Sequence, residues 1–326
     1  HAVVATRRPS KRWYLPEGST NWGFDEWVLL QNPTSSSATV TLNFVAQDGR
    51  TAQRTLNIEQ GRRATIRVAD VLPAADLATE ISASAPIVAE RAMYWGGPYP
   101  ASAGGSASMG LVAPSHTWYF AEGSSDWGFD TWLLLQNPSD SSVAVDVVYM
   151  TQAGPRVRPG ITMPPHSRQS ISMGWDIGRS DSAIYVRASK PILAERSMYY
   201  SPDRSPAGLS RSGHASQGSS APANSWLLAE GSTAHGLHEF VLVQNPGSAE
   251  ARVQLSLRTE AGEYGTNSFV VGPGSRLTVY LNALVPEVDV SVVVSASRPV
   301  VVERAMYTKD NLGYLVMHAA NAAKQG

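Results

Sequence analysis

Two sequence blocks occur three times each along this chain, at fixed separation, and that pattern confines the fold to a tandem array of like units. The first block reads WYLPEGSTNWGFDEWVLLQNP at residues 13–33, WYFAEGSSDWGFDTWLLLQNP at 118–138 and WLLAEGSTAHGLHEFVLVQNP at 226–246. The second reads ASAPIVAERAMY at 83–94, ASKPILAERSMY at 188–199 and ASRPVVVERAMY at 296–307. From Trp13 to Glu90, Trp118 to Glu195 and Trp226 to Glu303 the separation is 77 residues each time. Surface loops tolerate insertions, so equal lengths point to compact units with short, constrained connections.

Length varies only in the joints. Glu90 to Trp118 spans 28 residues and Glu195 to Trp226 spans 31. These joints concentrate Gly, Pro, Ser and Ala (GGPYPASAGGSAS; SPDRSPAGLSRSGHASQGSSAPANS) and read as boundaries between domains.

Within each unit the signals are for strands. Val253, Leu255 and Leu257 alternate with Arg252, Gln254, Ser256 and Arg258, a period of two with one buried face. Asn32-Pro33, Asp48-Gly49 and Gln60-Gly61 mark turns. Helical periodicity is confined to a short turn near Ala69–Pro73. Many short strands in a unit of this size predict an all-β chain: three tandem immunoglobulin-like antiparallel β-sandwich domains forming a rod. The expected boundaries are an N-terminal joint strand at 1–12, repeat 1 at 13–112, repeat 2 at 113–220, and repeat 3 with a C-terminal joint strand at 221–326.

The positions that recur in all copies form a polar set. They are Trp13, Trp118 and Trp226; Glu17, Glu122 and Glu230; Gln31, Gln136 and Gln244; and Asn32, Asn137 and Asn245. Arg63, Arg168 and Arg276 follow, then Glu90, Glu195 and Glu303, Arg91, Arg196 and Arg304, and Tyr94, Tyr199 and Tyr307. Carboxylates such as Glu17 and Glu90 could be offered as a glycosidase pair. The same set serves equally as ion pairs pinning strand ends, with Gln-Asn-Pro turning the chain. An enzyme needs one tuned site, whereas three copies retaining one polar set fit a structural signature. We therefore expect a structural role for these residues, no catalytic residues and no enzyme activity.

Seven of the nine Trp lie in the opening blocks. Trp13, Trp27 and their equivalents alternate with apolar neighbours and are expected in the core. Trp22 and Trp127 follow a turn and are the candidates for exposure, where a flat apolar face suits a sugar ring. His235 and His238 are spaced HxxH, but a loop or strand gives that spacing no metal-binding geometry and no third ligand is evident. Asp25 and Asp130 lack the further oxygens that calcium requires. No cofactor or metal is expected. With 26 Lys and Arg against 27 Asp and Glu, the chain has no global basic footprint for nucleic acid. The absence of Cys removes disulfides and thiolate chemistry, and no apolar run approaches the roughly 18 residues of a membrane span.

A start at His1 rather than Met is expected of a processed or excised chain. His1-Ala-Val-Val, Ser106-Ala-Ser-Met, His214-Ala-Ser-Gln and His318-Ala-Ala-Asn give four joint segments for three domains, one of them surplus. A spare segment is expected either to mark an excised array or to dock on a neighbouring molecule by strand addition. Residues 1–12 carry Arg7, Arg8, Lys11 and Arg12, while residues 226–317 hold nine acidic and six basic side chains. Opposite charge at the two ends favours head-to-tail contact. The residues expected to take part are His1, Val3, Val4, Arg7 and Arg8 at one end and His318 and Ala320 at the other.

The W-[YF]-[FL]-A-E-G-[ST] opening, the L-L-Q-N-P strand end and the P-[IV]-V-A-E-R-x-M-Y close resemble those of repeat domains from secreted and cell-surface bacterial proteins. The resemblance covers all three units and implies export and a surface setting; it carries no catalytic residues. The expected role is an extracellular structural protein, the subunit of a surface fibre or layer that polymerises with itself head to tail. The alternative is an adhesin or carbohydrate-binding module that meets cell-wall or environmental polysaccharide through Trp22 and Trp127.

Overall fold

The computed structural model describes residues 6, 8–96, 104–201, 212–309, 315–317 and 323–324. The chain forms three antiparallel curled sheets, one per repeat, with almost no helix. Unit 1 contains β1 (Ser10–Leu15), β2 (Asp25–Gln31), β3 (Ala38–Ala46), β4 (Thr51–Ile58), β5 (Arg63–Arg67), β6 (Leu77–Trp95) and β7 (Gly104–Met109). Unit 2 contains β8 (Ser115–Phe120), β9 (Phe129–Asn137), β10 (Val143–Thr151), β11 (Gly154–Met163), β12 (Ser167–Ser172), α1 (Met173–Ile177), β13 (Ser182–Tyr200) and β14 (Ser212–Gln217). Unit 3 contains β15 (Ala223–Leu228), β16 (His238–Asn245), β17 (Ala251–Thr259), β18 (Gly262–Val271), β19 (Ser275–Tyr280), β20 (Ser291–Lys309), β21 (Leu315–Met317) and β22 (Ala323–Lys324). The short helical turn expected near Ala69–Pro73 is a 3-10 turn at Val68–Asp70.

Each sheet is organised by one strand of 19 residues. The first half of β6 pairs with β3 and β1, and its second half pairs with β2 and β7. The second sequence block lies across the change of partner. Pro86 sits between the last residue paired to β3, Ala83, and the first paired to β2, Val88. A residue without an N–H suits a point where the ladder is interrupted. The indole of Trp13 ties the two halves together by donating to the Ile87 carbonyl at 2.9 Å. Trp118 does the same to Ile192, and Trp226 to Val300, each at 2.9 Å.

The curl encloses the core. Trp13, Val28, Leu30, Val40, Leu42, Phe44, Ile81 and Ile87 pack together in unit 1, and equivalent clusters fill units 2 and 3. Because Val28 and Leu30 point inward, the period of two turns Trp27 outward. Trp27 and Trp132 are therefore half-buried on the outer face, not in the core as the apolar neighbours predicted, whereas the half-buried Phe240 packs against the core of unit 3.

Each unit takes the joint segment that follows it. β7 pairs Ser106 with Met93, and β14 pairs His214 with Met198. β21 and β22 continue that register on unit 3, pairing Met317 with Tyr307 and Ala323 with Leu227. The bridges Tyr14–Leu111 and Tyr119–Ser219 are the counterparts of that last pair. Of the residues expected to contact another subunit, Arg8 is described and exposed; His1, Val3, Val4, Arg7, His318 and Ala320 lie outside the described residues. Among the described residues no helix is long and apolar enough to cross a membrane.

Candidate functional site

The recurring polar residues meet at the junctions, where a Glu–Arg pair within one unit is joined by a Glu of the next. At the junction of units 1 and 2, Arg91 is fully buried at the end of β6. It donates to Glu17 Oε2 at 2.5 Å and to the Glu17 carbonyl at 2.9 Å. It also donates to both oxygens of Glu195, at 2.9 and 3.0 Å. The Glu17 amide donates back to Glu195 at 3.3 Å. Ser197 and Tyr199 on β13 both donate to the other Glu17 oxygen, Tyr199 at 2.9 Å. The carboxylate that meets Glu17 is thus Glu195 of the next unit, not Glu90 of its own.

The second junction repeats the design. Arg196 donates to Glu122 at 3.0 Å and lies 3.9 Å from Glu303. The Glu122 amide donates to Glu303 at 2.6 Å, and the Tyr307 hydroxyl donates to Glu122. Ala305 replaces Ser197, and Ser216 on β14 supplies a hydroxyl to Glu303 at 2.9 Å instead. Aromatic contacts surround both relays: Phe24, Trp95 and Tyr199 at the first, Phe129, Tyr200, Phe240 and Tyr307 at the second.

The other recurring residues complete the same contact. Arg168 and the Ser170 amide both donate to Gln47 Oε1 at 2.9 Å. One junction on, Arg276 donates to the Gly123 carbonyl at 3.0 Å, and Gln244 donates to the Ile184 carbonyl at 3.1 Å. Gln136 and Gln244 are buried, whereas Gln31 and Arg63 of unit 1 are exposed. Asn32, Asn137 and Asn245 act inside their own units. The Asn32 amide nitrogen donates to the carbonyls of Ser36, Ile58 and Glu59, and its oxygen accepts from Thr34. Asn137 and Asn245 each donate to three equivalent carbonyls.

Charge is buried here at a cost that only complete pairing offsets. Burial opposes the Arg91 charge, yet Glu17 and Glu195 hold its guanidinium above the ordinary range. Burial raises Glu17, with Arg91 pulling the other way and Glu195 adding repulsion. At the second junction burial likewise opposes the Glu122 charge, but Arg196 and His214 hold that carboxyl below its usual range. Burial drives His214 down to about 4.

Two buried carboxyls escaped the sequence reading because the middle copy lacks them. Glu26 and Glu239 lie beneath Gly18 and Gly231, and unit 2 has Thr131 there. Burial raises Glu26 to about 8 and Glu239 to about 7. A Cβ on Gly18 would lie 2.6 Å from Glu26 Oε2, and one on Gly123 would lie 2.7 Å from the Ser182 carbonyl. The glycine of the AEG motif is therefore required by close approach.

Trp22 and Trp127 are 62% and 71% exposed. Each precedes a glycine, and both residues of the pair have positive φ, so the turn is of the mirror-image kind. His235 holds that position in unit 3. His238 sits on β16 with Nδ1 2.7 Å from the Tyr280 hydroxyl, and no metal-binding group of His, Asp and Glu occurs among the described residues. Asp25 pairs with Arg67 at 2.7 Å, and Asp130 accepts from the Trp132 indole at 2.7 Å.

A family of unknown function (DUF5719) matches residues 179–311, which span β13 to β20. No curated protein matches the chain. Among solved structures, Thermotoga maritima 1070 is similar at 14% identity over 32% of this chain and 94% of that one, with a TM-score of 0.29. The Anabaena sensory rhodopsin transducer is similar at 21% identity over 27% of this chain and 99% of that one, with a TM-score of 0.24. A tetra-tandem repeat from the extending region of a large adhesion protein is similar at 10% identity, over 96% of this chain and 73% of that one, with a TM-score of 0.15.

Proposed function

We propose that this chain is an extracellular structural protein: a rod of three immunoglobulin-like sandwiches that assembles head to tail into a surface fibre or layer. The observation that carries this reading is the recurrence of one buried Glu–Arg–Glu contact at both junctions, Glu17–Arg91–Glu195 and Glu122–Arg196–Glu303. Units on flexible linkers have no use for charges that are costly to desolvate. Units that must hold one orientation do, because a misoriented neighbour strands a buried charge. A fixed orientation transmits force and sets a spacing. Low charge, the absence of Cys and Ser/Ala-rich joints fit a place on the cell surface. Electron microscopy of the purified chain across a concentration series tests the reading. End-to-end multimers that grow with concentration support it; single particles at every concentration overturn it.

A second reading is a carbohydrate-binding module or adhesin. Trp22 and Trp127 favour it, as exposed apolar faces on turns whose backbone a Trp adopts at a cost. Retention on insoluble polysaccharide, lost when both are changed to Ala, would promote this reading over the first.

A further inference from the structure

Each junction joins two different faces. The receiving face of one unit carries the Glu of the AEG motif and the Arg of the AER motif: Glu17 and Arg91, then Glu122 and Arg196. The inserting face of the next unit carries Gln136, Arg168, Glu195 and Tyr199, or Gln244, Arg276, Glu303 and Tyr307. The three units make two junctions with one another, and the inserting face of unit 1 and the receiving face of unit 3 meet no other unit among the described residues. On unit 3, Arg304 donates to Glu230 at 3.2 Å, but the Glu230 side chain is 68% exposed where Glu17 and Glu122 are 5% and 4%. A concavity of about 560 Å³ opens beside it, lined by Glu230, Gly231, Arg258 and Glu260. On unit 1, Gln31 and Arg63 are exposed, Glu90 is half-buried, and a concavity of about 400 Å³ lies among them.

We infer that these two faces are the halves of a third junction, made between two copies of the chain, with unit 1 of one copy seated on unit 3 of another. The inference rests on the head-to-tail reading and names its surfaces. Arg304 then bridges Glu230 and Glu90 of the next copy, as Arg91 bridges Glu17 and Glu195. The Tyr94 hydroxyl reaches Glu230 as Tyr199 reaches Glu17. Charge is complementary at the periphery as well. Glu260 stands where unit 1 has Gln47, the acceptor of Arg168, so the copy-to-copy contact sets a carboxylate against the Arg63 guanidinium. The internal junction has a neutral amide at that place. A contact between separate molecules gains both attraction and orientation from the ion pair.

The test uses sedimentation of the full chain over a concentration series, with substitutions at exposed or half-exposed positions and thermal unfolding by circular dichroism to confirm an intact fold. Arg63→Glu alone and Glu260→Arg alone are expected to weaken association about tenfold each, and the two together to restore it, since each copy again presents complementary ends. Glu90→Gln leaves Arg304 short of its second carboxylate and is expected to weaken association about 30-fold. If the wild-type chain associates and all three single variants associate equally well, the surfaces are wrong and head-to-tail assembly stands without them. If the wild-type chain stays monomeric up to about 1 mM, below which any useful affinity would appear, both readings fall.

Discussion

Arg91 of unit 1 holds both carboxylate oxygens of Glu195 in unit 2, through hydrogen bonds of 2.9 and 3.0 Å in a site closed to water. The same guanidinium holds Glu17, so one cation serves two buried anions. Removing it strands both. Arg91→Leu is expected to destabilise the folded chain by about 3–5 kcal/mol, the range for breaking a buried ion pair from one side. Arg304→Leu is expected to cost much less, because its partner Glu230 is largely solvated. Chemical unfolding of the two variants side by side checks the difference. Equal losses would mean that the junction contributes nothing beyond the contacts within a unit.

That junction also marks how far the sequence could be read. The repeats, the turns and the alternating strands were legible, because each is a local pattern or a recurrence. The partner of Glu17 was not. Recurrence says that Glu17 and Glu90 belong to one set, but only the stacking of units brings Glu195 to Glu17 while Glu90 faces away. Trp27 was misplaced for a related reason: the run Trp27-Val28-Leu29-Leu30 is apolar at every position, which left the parity of β2 undecided. Glu26 and Glu239 drew no notice because a buried carboxyl looks like a surface one until the sheet curls over it.

The Asn of Gln-Asn-Pro offers a test within a single unit. Asn32 is fully buried and its amide serves three backbone carbonyls from two loops. Asn32→Ala leaves those acceptors unpaired, with an expected loss of about 3 kcal/mol. Asn32→Asp is expected to be worse, since it sets a carboxylate against the same carbonyls. Melting temperatures of the two variants rank them; an Asp variant as stable as wild type would show that the carbonyls find other donors.

Glu26 gives the chain a pH dependence of definite sign. Its folded-state value of about 8 lies above that of an unfolded glutamate, so the folded state keeps its proton over a range in which the unfolded state has released it. Stability from this group is full below about pH 4.5 and is lost as pH rises toward 8, by up to a few kcal/mol. Burial is the main cause; Arg91 and Arg168 oppose the shift and Glu17 adds to it. Unit 2 avoids the dependence with Thr131, whose hydroxyl donates to the Ser124 carbonyl at 2.5 Å and accepts from the Ser124 amide at 3.0 Å. Glu26→Thr is therefore expected to stabilise the chain at pH 8 and to change little at pH 5. His214 acts in the opposite sense, since a value near 4 makes stability fall as pH drops from 6.5. Unfolding of wild type and variant at the two pH values separates the contributions; an equal effect of Glu26→Thr at both would rule out a protonated Glu26.

Trp22 holds the first central position of its turn with φ of 56°, followed by Gly23 at 87°, and Phe24 N–H closes the turn on the Asn21 carbonyl at 2.9 Å. Asn-Gly is the pair such a turn prefers, because Asn tolerates the left-handed region and Trp does not. The indole recovers part of that cost by donating to Asp76 at 3.1 Å, in a position open to water. A chain under pressure only for stability would carry Asn here. Trp22→Asn is accordingly expected to stabilise unit 1 by about 0.5–1 kcal/mol. If the tryptophan is kept for binding, the same variant with Trp127→Asn loses retention on polysaccharide while gaining stability. A gain in stability with retention unchanged removes these turns from any binding surface. A loss of stability would mean that the indole–Asp76 contact outweighs the backbone strain, and the position then needs no ligand to account for it.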